Sequence, residues 1–237
     1  MKKFMLAFAL IIGLSGFAQT TIHDANAEVR NVSGFKGVSV SSAIDLYISQ
    51  GSTEAVAVSA KDTKVRDRIK TEVKDGVLYI SFDGNGWKNW GMGDQKMKAY
   101  VTIKDINRLE ASGASDIKVS GSLKTDNLKL HLSGASDFEG NVEVDNIQVQ
   151  GSGASDIKIS GKADQAKIEM SGASDFKGYD FTVNYCKAEV SGAGDLQVTV
   201  NKELDAQASG ASSIKYKGDA VVKRSDSSGA SSIKKKA

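Results

Sequence analysis

The chain has 237 residues, a formal net charge of +2 and no proline. Its balance of 31 basic and 29 acidic side chains excludes the strongly basic surface expected of a nucleic-acid-binding domain. Because proline removes a hydrogen-bond donor from a sheet, its absence is typical of a chain built mostly of paired strands. Cys186 is the only cysteine, so packing and backbone hydrogen bonds rather than an intrachain disulfide have to stabilise the fold.

Residues 1–18 have the pattern of a secretory signal peptide. Two lysines precede an apolar run from Phe4 to Leu14, and a small-x-small cleavage site, Gly16-Phe17-Ala18, follows it. The run is shorter than the roughly 20 residues that span a bilayer. We therefore expect cleavage after Ala18, a linker over residues 19–30, no transmembrane segment, and export to the periplasm, the cell surface or the medium.

The sequence of residues 31–109 predicts irregular coils that cap the repetitive part of the domain. Apolar and polar residues alternate, as in half-buried strands, and Ser41–Leu46 is a degenerate copy of a motif that recurs later. Val65 and Ile69, four residues apart in a charged segment, indicate one short helix. Further strands are predicted at Ala55–Val58, Val77–Ile80 and Tyr100–Ile103.

The segment Asp83–Asp94 breaks this pattern, and it contains Trp87 and Trp90, the two tryptophans of the protein. Large aromatic side chains in a glycine-rich loop between strands are typical of a recognition loop, which makes Trp87 and Trp90 the candidate ligand-binding residues. The alternative is a lid that buries the rings over the end of the core. The sequence leaves both interpretations open.

From residue 110 to residue 237 one motif, Ser-Gly-Ala-Ser-Asp followed by an apolar residue, occurs seven times with small variations. The first copy is Ser112–Ile117, the last is Ser228–Ile233, and the glycines recur every 18–21 residues. Alternation between the motifs predicts two or three strands of four to five residues per unit. We expect the glycines, such as Gly153, at tight corners, with Ile157, Ile159, Ile168 and Met170 inside.

A helix-free unit of this length cannot bury its apolar face alone and has to stack on its neighbours. The sequence therefore predicts an all-β fold, a parallel and right-handed β-helix or β-solenoid with coils of about 19–20 residues. Residues 31–237 form one domain in this prediction. Cys186 falls in the column of Leu128, Ile147 and Ala166, so we expect a buried, unreactive thiol.

The sequence also resembles a known family, the auto-transporter adhesins with a head GIN domain that are common among Bacteroidetes. The resemblance covers about residues 30–237. It depends on Arg30–Val38, Ile44–Gly51 and Val73–Ile80, and on the serial Ser-Gly-Ala-Ser-Asp repeats. The family implies an exported β-helical protein with an adhesive or glycan-related role, and it supplies no catalytic residues.

The aspartates of the repeat predict a column of carboxylates: Asp116, Asp137, Asp156, Asp175 and Asp195. Such a column suggests a calcium site, the acid pair of a glycosidase, or a structural ladder. A lysine usually stands two residues later, as in Lys118, Lys158 and Lys177, and neighbouring ladders of opposite charge offset each other. We interpret the aspartates as a structural repeat ladder, and we expect no catalytic, metal-binding or cofactor-binding residues.

The function favoured by these patterns is an exported, non-enzymatic envelope or adhesin-like module that binds a glycan or another cell-envelope component. The alternatives are a carbohydrate-active β-helix enzyme and a calcium-stabilised structural repeat protein. A parallel β-helix can support either, but an active site is needed only once, whereas the candidate carboxylates recur coil after coil. The oligomeric state stays open.

Overall fold

The computed structural model describes residues 24–86 and 96–236. Its N-terminal part contains eight strands and one helical turn, α1 (Thr63–Arg66). The strands are β1 (Glu28–Arg30), β2 (Gly37–Val40), β3 (Asp45–Gln50), β4 (Ala55–Ser59), β5 (Ile69–Lys74), β6 (Val77–Phe82), β7 (Lys98–Ile103) and β8 (Arg108–Ala111).

The repeats form much longer strands than the alternation predicts. Where two or three strands of four to five residues per unit were expected, the pairing continues around the bends, and shifts in register mark the irregular corners near Gly121 and Gly161. The strands are β9 (Ile117–Leu132), β10 (Asp137–Gly151), β11 (Asp156–Met170), β12 (Asp175–Gly192), β13 (Asp195–Gly210), β14 (Ser213–Lys217), β15 (Val221–Gly229) and β16 (Ser232–Lys235).

The repeats stack as a parallel β-solenoid of about 7 turns, which confirms the predicted fold class. Each coil pairs with the next in parallel and in register, so that Phe138 lies beside Ile157 and Ile147 beside Ala166. Equivalent residues therefore form columns along the rod at the strand spacing of about 4.8 Å. The columns that face outward give the surface regular rows of similar side chains.

Apolar columns fill the interior of the solenoid. One long column joins Leu46 in β3 to Ile233 in β16, and its inner members are no more than 1% exposed. Ile157, Ile159, Ile168 and Met170 are all buried, as predicted. The column consists of Leu46, Ile117, Phe138, Ile157, Phe176, Leu196, Ile214 and Ile233.

Each copy of the motif makes a tight corner, and glycine is required there for two reasons. Gly153 has φ +82°, in the left-handed region that side chains disfavour. A Cβ on Gly153 would also lie 2.4 Å from the carbonyl oxygen of Gly134 in the coil below. The close approach allows the Ala154 N–H to donate to that oxygen at 2.8 Å. The glycines thus set the stacking distance at the corner.

The second serine of the motif is buried inside this corner. Ser155 is fully buried, and its hydroxyl donates to the Ser152 carbonyl at 2.9 Å. The Ser155 N–H donates to the hydroxyl of Ser174 in the next coil at 3.2 Å. The burial of this hydroxyl is tolerated because it is hydrogen-bonded. The inner serine column is a feature that the sequence patterns did not predict.

The N-terminal strands continue the solenoid and then cover its end. β8 leads through a motif corner into β9, β2 and β3 form the next coil, and β6 and β7 stack on β2 and β3 as a further one. β1, β4 and β5 pair antiparallel and lie outside this parallel stack. The predicted strands over residues 55–58, 77–80 and 100–103 are all present.

The short helix α1 contains only half of the predicted apolar pair. Val65 lies within α1 and is buried, whereas Ile69 begins β5. Asp62 caps the helix by accepting a hydrogen bond from the Lys64 N–H at 2.8 Å. Among the described residues, no helix is long and apolar enough to cross a membrane.

Candidate functional site

The repeat aspartates lie on one outer face of the rod, one above another. Asp156 is in register with Asp137 and with Asp175. The Asp156 N–H donates to the Asp137 carboxylate at 3.3 Å, and the Asp195 N–H donates to the Asp175 carboxylate at 2.9 Å. Each of these carboxylates therefore accepts a hydrogen bond from the backbone of the following coil.

Lysines from neighbouring coils pair with this column. Lys177 lies 2.7 Å from Asp156, and Lys215 lies 3.0 Å from Asp195. The hydrogen bond that the Lys177 ammonium donates to the Asp156 carboxylate raises the pKa of Lys177. The Ser213 hydroxyl, with Lys215, lowers the pKa of Asp195. Within residues 24–86 and 96–236, no group of three or more His, Cys, Asp or Glu side chains is arranged to hold a metal ion.

We expect Asp156→Asn to lower the free energy of unfolding by less than about 1 kcal/mol, because exposed ion pairs contribute little. Added calcium should leave the thermal unfolding midpoint of the parent protein unchanged. Differential scanning calorimetry in calcium, magnesium and EDTA measures both quantities. A calcium-specific rise of many degrees that Asp156→Asn abolishes would identify the aspartates as calcium ligands.

Trp87 and Trp90 lie outside the described residues, but both ends of their segment are described. The strand before the segment, β6, pairs with β2, and the strand after it, β7, pairs with β3, so these two strands flank the level of the corner Ser41–Asp45 in the neighbouring coil. Its first residues are held in place because Arg68 donates to the carbonyls of Asp83 and Asn85 at 3.1 and 2.8 Å. The described residues on either side of the tryptophans therefore lie next to the motif corner of a terminal coil.

Two surface grooves, which the sequence patterns did not predict, run along the rod on either side of one strand segment. In the first repeat this segment is residues 128–132. Its outward side chains form two columns along the rod, and these two columns together are here called the wall. One column is Lys129, Gln148, Lys167, Lys187, Asp205 and Arg224, and the other is His131, Gln150, Glu169, Glu189, Gln207 and Asp226.

The corner groove, about 580 Å³ in volume, lies between the second wall column and the motif serines, from Ser152 to Ser228. The Gln150 Oε1 accepts a hydrogen bond from His131 Nδ1 at 3.2 Å, and the Gln150 Nε2 donates to Glu169 at 2.9 Å. Lys167 is the main cause of the lowered pKa of Glu169. The groove therefore presents ionised carboxylates, carboxamides and hydroxyls.

The tyrosine groove, about 560 Å³ in volume, lies on the other side of the wall. It is lined by the first wall column as far as Asp205 and by a parallel column of three amides, one aromatic ring and one carboxylate: Asn127, Asn146, Gln165, Tyr185 and Glu203. Tyr185 is 39% exposed, and the Lys202 ammonium lies 5.1 Å from its ring centroid. This side of the wall thus combines amides, lysines and one exposed aromatic ring.

Cys186 lies beneath the tyrosine groove in the column of Leu128, Ile147 and Ala166, as predicted. Its side chain is buried, and burial raises the pKa of its thiol to about 12. Because the thiolate is the reactive form, Cys186 is an unreactive core residue.

The wall separates charge between the two grooves. Lys167 pairs with Glu169 at 2.7 Å, and Lys187 pairs with Glu189 at 2.8 Å. In each pair the lysine lines the tyrosine groove and the glutamate lines the corner groove. The signal was present in the sequence as a Lys-x-Glu alternation, but alternation alone does not show that a groove lies on each side.

Several solved bacterial structures share this fold. A "putative adhesin" from Bacteroides fragilis is 24% identical with a TM-score of 0.82, covering 89% of this chain and 96% of that chain. A "putative lipid binding protein" from Parabacteroides distasonis is 22% identical with a TM-score of 0.66, covering 90% and 97%. A "putative adhesin" from the same species is 20% identical with a TM-score of 0.69, covering 88% and 95%.

At these identities the structural likeness shows a shared fold. No curated protein matches the chain. The family described as "Putative auto-transporter adhesin, head GIN domain" matches residues 34–220, which include the N-terminal coils and most of the repeats. This protein therefore belongs to the head GIN domain family of auto-transporter adhesins.

Proposed function

We propose that the protein is an exported, non-enzymatic adhesin-like module that binds a glycan or another component of the cell envelope. The observation that carries the proposal is the pair of long grooves along the rod, each of which is lined by charged and amide side chains. The signal peptide predicted over residues 1–18 would direct export and would then be removed. The descriptions of the family and of two solved relatives contain the word adhesin, which agrees with this function.

The chemistry of the described surface favours binding over catalysis. Acid–base catalysis needs one set of neighbouring groups, an acid and a base, whose surroundings shift their pKa values in opposite directions. On this rod the charged groups recur along columns and pair with each other, as Lys177 pairs with Asp156 and Lys187 with Glu189. Repeated groups at a constant spacing suit a ligand that is itself repetitive.

Trp87 and Trp90 are a second proposed contact with the ligand. The described residues on either side of them lie next to the motif corner of a terminal coil, which is a suitable place for a ligand-binding loop on a rigid scaffold. Aromatic rings also provide a large contact area with few rotatable bonds. In this proposal the rod holds the tryptophan segment in position and the grooves extend the contact.

The double substitution Trp87→Ala with Trp90→Ala should abolish binding to purified envelope fragments and leave the unfolding midpoint nearly unchanged. Co-sedimentation and a glycan array measure binding, and calorimetry measures stability. Lys88→Ala with Asn89→Ala, in the same segment, is the matched control and should retain binding. A lid would give the opposite result, a loss of about 3–5 kcal/mol for each ring with binding retained by the molecules that remain folded.

A further inference from the structure

We propose that the tyrosine groove binds an extended acidic polysaccharide whose chain runs parallel to the rod axis. The inference extends the proposed function, because it assigns the ligand class and the site of the envelope-binding module. It depends on the shape of the groove, the side chains of its two columns and the direction of the wall ion pairs.

The shape of the groove suits a linear polymer. Its lining begins at Asn127, continues through the equivalent residues of the next four coils as far as Glu203, and ends at Lys223 in the sixth coil. Five steps at about 4.8 Å each give a length of about 24 Å. One sugar unit of an extended polysaccharide has a similar length to this step, so that successive sugars can meet equivalent side chains in successive coils.

The outer column provides the contacts that sugars use. Asn127, Asn146 and Gln165 carry amides that donate and accept hydrogen bonds, which matches the hydroxyl groups of a sugar. Among these described amides, one bond joins neighbours, from Asn146 to Asn127 at 3.2 Å, so donors and acceptors remain for a ligand. Tyr185 continues the column with an exposed ring on which the apolar face of a sugar can stack.

The lysines of the first wall column favour a negatively charged ligand. Lys129, Lys167 and Lys187 line the groove, and the glutamates that pair with two of them line the opposite groove. These pairs are partly exposed, with lysine side chains 44% and 46% accessible, so they are weak. An ammonium group has three donors and can bind a ligand carboxylate while it keeps its glutamate.

The same pairs limit how much negative charge the groove can accept. Each of Lys167 and Lys187 already has a carboxylate partner, and Asp205 ends the row of lysines. A nucleic acid would need a denser set of unpaired cations to release its counterions. A polysaccharide with one carboxylate per sugar fits the spacing and the charge better. The corner groove, with Glu169 and Glu189 in its lining, should repel the same ligand.

Titration calorimetry of the full protein with polygalacturonate tests the inference, with uncharged dextran as the reference polymer. We expect binding of polygalacturonate, weakening with added salt, and none of dextran. Lys167→Gln with Lys187→Gln should weaken binding at least about tenfold, and Tyr185→Ala should do the same. Glutamine can still donate to the glutamates, so the fold should be retained, which circular dichroism checks.

The matched control is Lys158→Gln with Lys177→Gln. These lysines also form ion pairs at 2.6 and 2.7 Å, but on the face of the aspartate column. We expect this variant to bind as the parent does. Failure of the parent to bind polygalacturonate, equal weakening in both double variants, or unchanged binding in the Tyr185 variant would each overturn the inference. If envelope fragments are still bound in that case, the proposed function stands without this site; if neither ligand is bound, both fail.

Discussion

Gly153→Ala is expected to lower the free energy of unfolding by about 2–5 kcal/mol, the sum of two separate costs. A side chain at φ +82° costs about 1–2 kcal/mol. The new Cβ would lie 2.4 Å from the Gly134 oxygen, so the two coils would have to move apart, and overpacking of this kind costs about 1–3 kcal/mol. Urea unfolding followed by circular dichroism measures the loss.

Gly121→Ala separates the two costs. Gly121 has nearly the same dihedral angle, φ +80°, but no atom lies within 4 Å of the position that its Cβ would take. Only the conformational cost of about 1–2 kcal/mol should remain. Equal losses in the two variants would show that close stacking does not constrain the motif corner.

The solenoid could be predicted because two local rules specify it. Alternation along a strand determines which face is buried, and this rule correctly assigned Ile157 and Met170 to the core. A glycine in every coil marks a place where the backbone needs a left-handed angle or a close contact, and Gly153 needs both. Each rule involves only a few neighbouring residues, and the repeat provides several independent instances of it. A wrong assignment in one coil therefore does not change the assignment of the others.

The parts that could not be predicted depend on contacts between distant segments. The antiparallel pairing of β1 with β4 joins residues about 30 positions apart, and no repeat indicates it. The buried position of Ser155 depends on how sharply the corner bends. The alternation of the repeat indicates the aspartate ladder, but it does not indicate that the neighbouring serine lies inside the corner and makes hydrogen bonds there.

The grooves were missed for a similar physical reason. The order Lys167-Ile168-Glu169 predicts correctly that both charges point outward and that the isoleucine points inward. Whether the outward side chains line a flat face or two grooves depends on the angles between successive segments of a coil, and alternation does not specify these angles. Trp87 and Trp90 stand out by composition alone, and their role stays a prediction.

The largest expected loss of stability is for Ile157→Asp, in the middle of the apolar column from Leu46 to Ile233. Truncating a buried isoleucine costs about 2–5 kcal/mol, and an unpaired buried carboxyl group adds about 1–3 kcal/mol. The sum is comparable with the roughly 5–15 kcal/mol that stabilises a typical protein, so we expect this variant to be largely unfolded. Ile157→Val should cost only about 0.5–1.5 kcal/mol, and a loss below about 1 kcal/mol in the Asp variant would contradict the core position of Ile157.

The position of a substituted core residue along the rod should determine how many coils unfold, because each coil contacts only its neighbours. Ile214 is as fully buried as Ile157, but it lies in β14, and among the described strands only β16 pairs with β14 on the C-terminal side. Ile214→Asp should therefore open β14, β15 and β16 while β10 and β11 stay folded. Hydrogen exchange followed by mass spectrometry distinguishes the two cases: amides of β10 should remain protected in the Ile214 variant and exchange in the Ile157 variant. Loss of protection along the whole rod in both variants would mean that the coils unfold as one cooperative unit, and that stacking between coils outweighs the stability of each coil.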